Sequence, residues 1–154
     1  MPLPSLKGQF AALMAAPSVN CTQPAWDQSN LAVIELLAGW LGDLGFACEV
    51  QNIAPGKANL LATYGSGPGG LVLAGHSDTV PFDAALWQSD PLKLSEAGDR
   101  WVGLGACDMK GSFPLVIEAV RTLLDQPFKQ PLLILATCHA QSSMSGARPV
   151  AAAG

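Results

Sequence analysis

The residues best suited to chemistry are His76 and Asp78, two positions apart at the end of the apolar run Leu71-Val-Leu-Ala-Gly75. In an extended segment alternate side chains leave from the same face, so the imidazole and the carboxylate would emerge together. A carboxylate behind an imidazole is the arrangement that orients a metal-binding histidine. A strand that merely ends in a polar turn would show the same letters. A second half-site lies in Gly103-Leu-Gly-Ala-Cys-Asp-Met-Lys-Gly111, which brings Asp108 to the start of an apolar helical pattern through Val116, Val120 and Leu123. Asp108 could be a metal ligand there, or simply the N-cap that satisfies the first backbone donors of the helix. Imidazole nitrogen and carboxylate oxygen suit zinc and similar divalent ions, and an aspartate shared between two ions would build a two-metal hydrolytic site. Cys107 beside Asp108 is either a reactive or soft-ligand thiol, or a small core residue.

The elements that must position these groups alternate between helix and strand periodicity. Ser5 to Ala15 carries Leu6, Phe10, Leu13 and Met14 at helical spacing and stops before Pro17. Asp27 to Leu44 presents Leu31, Ile34, Leu37, Leu41 and Leu44 on one stripe, closed by Gly45. Strands are expected at Phe46 to Ile53 and Asn59 to Tyr64 around the Pro55-Gly56 turn, and at Pro131 to Thr137. Leu92 to Leu94 and Arg100 to Val102 read as a short hairpin. The glycine-rich loop 65–70 lacks the lysine and hydroxyl residue of a phosphate-binding loop and leads into a strand, so it is read as a turn. Pro114 requires a place in the first turn of its helix. The whole is an α/β domain with a mixed, mainly parallel central sheet flanked by helices on both faces.

Length and composition bound the rest. A chain of 154 residues, 49% apolar and 13% charged, fits one domain with a substantial core. A net charge of −4 without a lysine or arginine cluster offers nothing to nucleic acid or to an anionic membrane. Neither a secretory signal nor a stretch of membrane-spanning length is read in the sequence, and four scattered cysteines without a CxxC pair fit a thiol-containing cytoplasmic protein.

The motifs Gly75-His-Ser-Asp-Thr-Val-Pro81, Trp87-Gln-Ser-Asp-Pro91 and Gly103 to Gly111 together resemble the metallopeptidase M20 family, and the likeness runs from Asp27-Gln-Ser-Asn30 to Ser143-Met-Ser-Gly-Ala-Arg148. The resemblance implies a zinc-dependent exopeptidase-like catalytic domain, of which residues 1–154 would be the N-terminal portion. It also implies amide hydrolysis with two divalent ions, Zn2+ or Co2+. Within the family the likeness is to the branch that converts N-acetyl-L-ornithine to L-ornithine and acetate in arginine biosynthesis, so a small N-acyl amino acid is the implied substrate. His76 would bind the first ion, Asp108 would bridge both, and Asp78 would hold the histidine ring. Thr79, Lys110 and Gly111 match the motifs without an assigned role.

The departures from that family are equally specific. Where it carries two adjacent glutamates, a general base and a metal ligand, this chain has Ala140 and Gln141, preceded by His139. A methyl group accepts no proton from an attacking water, and a neutral amide oxygen compensates a hard dication poorly. His139 could supply a nitrogen instead, although neighbours on an extended segment point different ways. The family's later ligands and its lid or dimerisation domain would lie beyond Gly154. The expectation is therefore a truncated, decayed or split hydrolase that binds metal weakly and is inactive as this chain alone. The rival expectation is a non-catalytic α/β remnant that binds a partner. Apolar surface left uncovered would favour a homo-oligomer or a complementary fragment.

Overall fold

A computed structural model describes residues 2–138 and Gly146. Helix α1 (Leu6–Ala15) starts at Ser5, whose hydroxyl accepts from the Gly8 N–H at 3.3 Å. Helix α2 (Leu31–Asp43) ends where Gly45 adopts φ 89°, the left-handed conformation expected of a closing glycine. The helix starts four residues later than the apolar stripe suggests, because Asp27 to Asn30 are bonded elsewhere. Asp27 Oδ1 accepts from Cys21 N and from Lys57 Nζ, Gln28 Oε1 accepts from Val19 N, and Asn30 N donates to Gly56 O.

Strands β1 (Ala47–Ala54) and β2 (Lys57–Tyr64) form the expected hairpin, followed by β3 (Leu71–His76). The short ribbon is β4 (Ser95–Ala97) with β5 (Arg100–Val102). Its first strand lies beyond Leu92 to Leu94, because Asp90 draws Leu92 and Lys93 into a turn through its side chain and carbonyl. Helix α3 (Ser112–Arg121) carries Pro114 as its third residue, inside the first turn as required, and stops before Leu123. Strand β6 (Leu132–Thr137) completes the described elements.

The four-stranded sheet has the order β1-β2-β6-β3. It is mixed: β1–β2 and β2–β6 are antiparallel, and β3–β6 is parallel with His76 opposite Thr137. Among the described strands the parallel component is thus the smaller one. The helices also differ from expectation. Alternate residues of β2 (Ala58, Leu60, Ala62) and of β6 (Leu132, Ile134, Ala136) share one core with Leu13 and Met14 of α1, Ile34 and Leu37 of α2, and Phe113 and Ile117 of α3. All three described helices therefore cover a single face rather than both. Topology fixes only α3, since β3–α3–β6 is the one parallel crossover among the described elements and its hand sets the face that α3 covers. Helices α1 and α2 precede the strands and join that face through the shared core. On that second face Val72 is 52% exposed. No helix among the described residues is long and apolar enough to cross a membrane.

Candidate metal half-site at the end of the parallel strand pair

His76 is the last residue of β3, paired with Thr137 of β6, and its successor in the chain is tied to the same partner. Ser77 N donates to Thr137 O at 2.8 Å, and Ser77 Oγ donates to the same carbonyl at 2.9 Å. One residue earlier Gly75 lets the start of α3 close in, since a Cβ there would meet Phe113 at 3.1 Å and Met109 at 3.2 Å. Strand β3 thereby delivers its terminal side chain beside the loop that carries Asp108.

That loop is built by close approaches. Gly105 has φ 82° and lies so near Lys110 and Thr79 that a Cβ would stand 2.8 and 2.9 Å from them. Gly111 N donates to Gly105 O at 3.0 Å, and Ala106 O leaves no room for a side chain at Gly111. Lys110 is fully buried, and its ammonium donates to the carbonyls of Leu13 and Ala16, at 2.8 and 2.9 Å, at the end of α1. These are carbonyls that a helix terminus leaves without an internal partner, and a cation there also meets the negative end of the helix dipole. Burial pushes the Lys110 pKa down from 10.5 to about 8. Lys110 and Gly111 thus act as structural members of the loop. The Asp108–Met109 peptide is cis. Asp108 is not an N-cap: the helix begins at Ser112, after Gly111.

The two half-sites meet. His76 Nε2 lies 3.1 Å from Asp108 Oδ1. On the opposite edge of the ring, Nδ1 lies 2.9 Å from the main-chain carbonyl of Asp78 and 3.7 Å from its carboxylate Oδ1. A carbonyl and an ionised carboxylate both only accept, so the ring can offer Nδ1–H to the Asp78 carbonyl or Nε2–H to Asp108, and which of the two it donates depends on the tautomer. With Nδ1–H given to the carbonyl, Nε2 and Asp108 Oδ1 would be two lone-pair donors converging on one point, an arrangement that suits a divalent cation. In kind, these donors fit a metal. In number they fall short, because among the described residues no group of three His, Cys, Asp or Glu side chains is placed to hold an ion, and a catalytic zinc takes three protein ligands. His139, Ala140 and Gln141 lie outside the described residues.

Asp78 is 1% exposed, and one of its partners comes from a segment whose residue types signal no chemistry: Asn20 Nδ2 donates to Asp78 Oδ2 at 3.0 Å. Nearby, the Asn30 amide donates to Ala58 O and Ser77 Oγ, both at 2.7 Å, and accepts from Ala58 N. The only sequence signal for this network is a set of short polar residues in a proline-bounded loop, a pattern that most exposed loops share. Cys107 is exposed, so its reading as a core residue fails. Cys138 is the buried thiol, 1% exposed; burial, helped by the Asp78 charge, pushes its pKa up to about 11.

Known proteins share both the sequence and the architecture. The family model for peptidase family M20/M25/M40 matches residues 72–154. An acetylornithine deacetylase of Vibrio campbellii is 49% identical over 148 residues, which is 96% of this chain and 39% of that protein. One of Aliivibrio salmonicida is 47% identical over the same lengths. The chain therefore spans about two fifths of these relatives. Among solved structures, the dipeptidase Dug1p of Saccharomyces cerevisiae superposes with a TM-score of 0.73 at 18% identity, covering 94% of this chain and 34% of that one. The M20 family metallo-carboxypeptidase Sso-CP2 of Sulfolobus solfataricus gives 0.69 at 20% identity, covering 87% and 30%. At such identities these superpositions speak for the fold.

Proposed function

The chain belongs to peptidase family M20/M25/M40, and from that premise we propose that residues 1–154 are the N-terminal portion of a metal-dependent hydrolase domain whose intact form removes the acetyl group of N-acetyl-L-ornithine. The observation that carries this reading is the convergence of His76 Nε2 and Asp108 Oδ1 at 3.1 Å beyond the carboxyl end of β3. The substrate is inferred from the deacetylases to which the chain is 47–49% identical, and with it a place in arginine biosynthesis in the cytoplasm.

His76 and Asp108 would hold the ion, Zn2+ or Co2+. A divalent cation bound there would serve as a Lewis acid toward the amide carbonyl. The chain's own residues prepare for it. With an ion bound, the Asp78 carbonyl would accept from Nδ1–H and leave Nε2 free to donate its lone pair. The Lys110 anchor and the glycines at 105 and 111 hold the Asp108 loop against the end of α1. What the chain does not supply is a proton acceptor at Ala140, and Gln141 brings no charge to the ligand position that the family resemblance assigns it. These two residues favour the second reading as well, a non-catalytic or split remnant that depends on a complementary fragment or on a second copy.

The deciding experiment is turnover of N-acetyl-L-ornithine by the purified chain with added Zn2+ or Co2+, beside the double variant Ala140→Glu, Gln141→Glu. We expect no turnover by the unaltered chain and weak, non-stoichiometric metal uptake in calorimetry. Turnover that disappears in His76→Ala would refute the inactivity. A sub-micromolar metal site abolished by Asp108→Ala would refute the weak binding.

A further inference from the structure

The two edges of the four-stranded sheet are built differently. Strand β1 carries the exposed Glu49 and a register shift between Asn52 and Ala54. A charge and a bulge are devices that keep an edge strand from pairing further. Strand β3 has neither, since Leu71 to His76 contains no Lys, Arg, Asp, Glu or Pro and pairs with β6 in unbroken register. Leu71 N donates to Pro131 O and Ser77 N donates to Thr137 O, so the odd-numbered residues of this segment turn their main chains toward β6. Val72 and Ala74 accordingly turn N–H and C=O the other way. Both residues are exposed, and among the described residues no further strand pairs there. The helix layer stops at the same edge. Glu118 of α3 faces α1, where its Oε1 accepts from Gln9 Nε2 at 2.8 Å. On the flank turned away from α1, Ser112, Val116 and Ala119 recur at helical spacing, followed by the exposed Leu123 in the turn after the helix. Ser112 and Val116 share one open cleft with residues 72–75 of β3.

We propose that the edge of β3 and this flank of α3 form one interface, and that its occupant is a second copy of the chain related by a two-fold axis perpendicular to the sheet. An axis through Leu73 sets Val72 opposite Ala74 in both directions, and each such pair exchanges both of its N–H···O bonds. The same axis lays α3 antiparallel beside its counterpart, with the Val116, Ala119 and Leu123 flanks facing each other. The sheet and the helix layer then both continue across the boundary. Charge selects a second copy over an unlike strand. The chain carries a net charge of −4, yet none of the residues in this surface is charged, so two identical surfaces meet without repulsion and with matching backbone donors and acceptors. The interface goes beyond the hydrolase reading and does not depend on the metal half-site.

Sedimentation velocity of the purified chain, over a series from about 1 µM to about 100 µM, should show the mass rising from one chain to two. Val72→Lys adds to β3 the kind of guard that edge strands use, and should raise the dimer dissociation constant at least about tenfold. Val50→Lys is the matched control on the other edge strand: Val50 is 46% exposed against 52% for Val72, and its substitution should leave the constant unchanged. If Val72→Lys does not fold, Ala119→Glu on the exposed flank of α3 takes its place, since the axis would bring two like charges together. Amide hydrogen exchange reads the strand pairing itself. The Val72 and Ala74 amides should exchange more slowly as concentration rises, while those of Leu71 and Leu73, which face β6, should not change. A single chain across the whole series, aggregation without a two-chain species, a dimer that Val72→Lys leaves intact or that Val50→Lys weakens equally, or exchange at Val72 and Ala74 that ignores concentration would each overturn the proposal.

Discussion

Lys110 is the buried cation on which the Asp108 loop is hung, and its burial makes the stability of the fold depend on pH in a particular direction. The residue is 0% exposed, and burial lowers its pKa from 10.5 to about 8. Below pH 8 the lysine is charged in both states, and the folded chain carries the full cost of that burial. Between pH 8 and 10.5 the folded chain gives up the proton while the unfolded chain keeps it, so the unfolded state binds more protons and stability rises with pH. Over that interval, at about 1.4 kcal/mol per pH unit, the gain amounts to about 3 kcal/mol. A neutral amine retains two N–H groups, enough for the carbonyls of Leu13 and Ala16, so no hydrogen bond is forfeited.

Cys138 works in the opposite sense. Its thiol pKa is raised to about 11 by burial, so between the ordinary thiol range and pH 11 the unfolded chain ionises first and stability falls. The comparison that isolates the lysine is therefore the difference between the unaltered chain and Lys110→Met, both of which contain Cys138. Orphaned carbonyls in the variant add an offset independent of pH. Urea denaturation at half-unit steps from about pH 7.5 to about pH 10.5, extrapolated linearly, should show the unaltered chain gaining about 3 kcal/mol on the variant. A flat or falling difference would show that the Lys110 site is solvated in solution, and the account of the loop anchor would fail with it.

Packing supplies three further expected outcomes. Ile117→Ala, at a residue 1% exposed in the shared core, should cost about 2–5 kcal/mol in urea denaturation, from lost transfer energy and the residual cavity. Gly111→Ala should fail to give a cooperative thermal transition, since its Cβ would meet Ala106 O at 2.0 Å and Phe10 at 2.6 Å, and the first contact is with backbone that cannot swing away. Arg121→Ala, which removes the exposed Glu118–Arg121 pair one helical turn apart, should lower stability by less than about 1 kcal/mol, and a larger loss by the same denaturation measurement would contradict its surface character.

The sequence by itself determined most of the elements and singled out the His76 and Asp108 side chains that the fold brings together. Apolar periodicity is a local property, so α1, the body of α2, the β1–β2 hairpin, β3 and β6 were all legible from it. So was the pairing of types in the half-site, because His76 closes one apolar run and Asp108 opens another. Boundaries slipped where a polar side chain was engaged by a distant partner. Asp27 to Asn30 look helical but are bonded to Cys21, Lys57, Val19 and Gly56, and no window of neighbouring residues contains that information. The placement of all described helices on one face and the Asn20 grip on the Asp78 carboxylate were decided by tertiary structure alone. Each depends on where chain segments far apart in sequence come to lie, and hydrogen bonds between short polar side chains leave no period for a sequence to display.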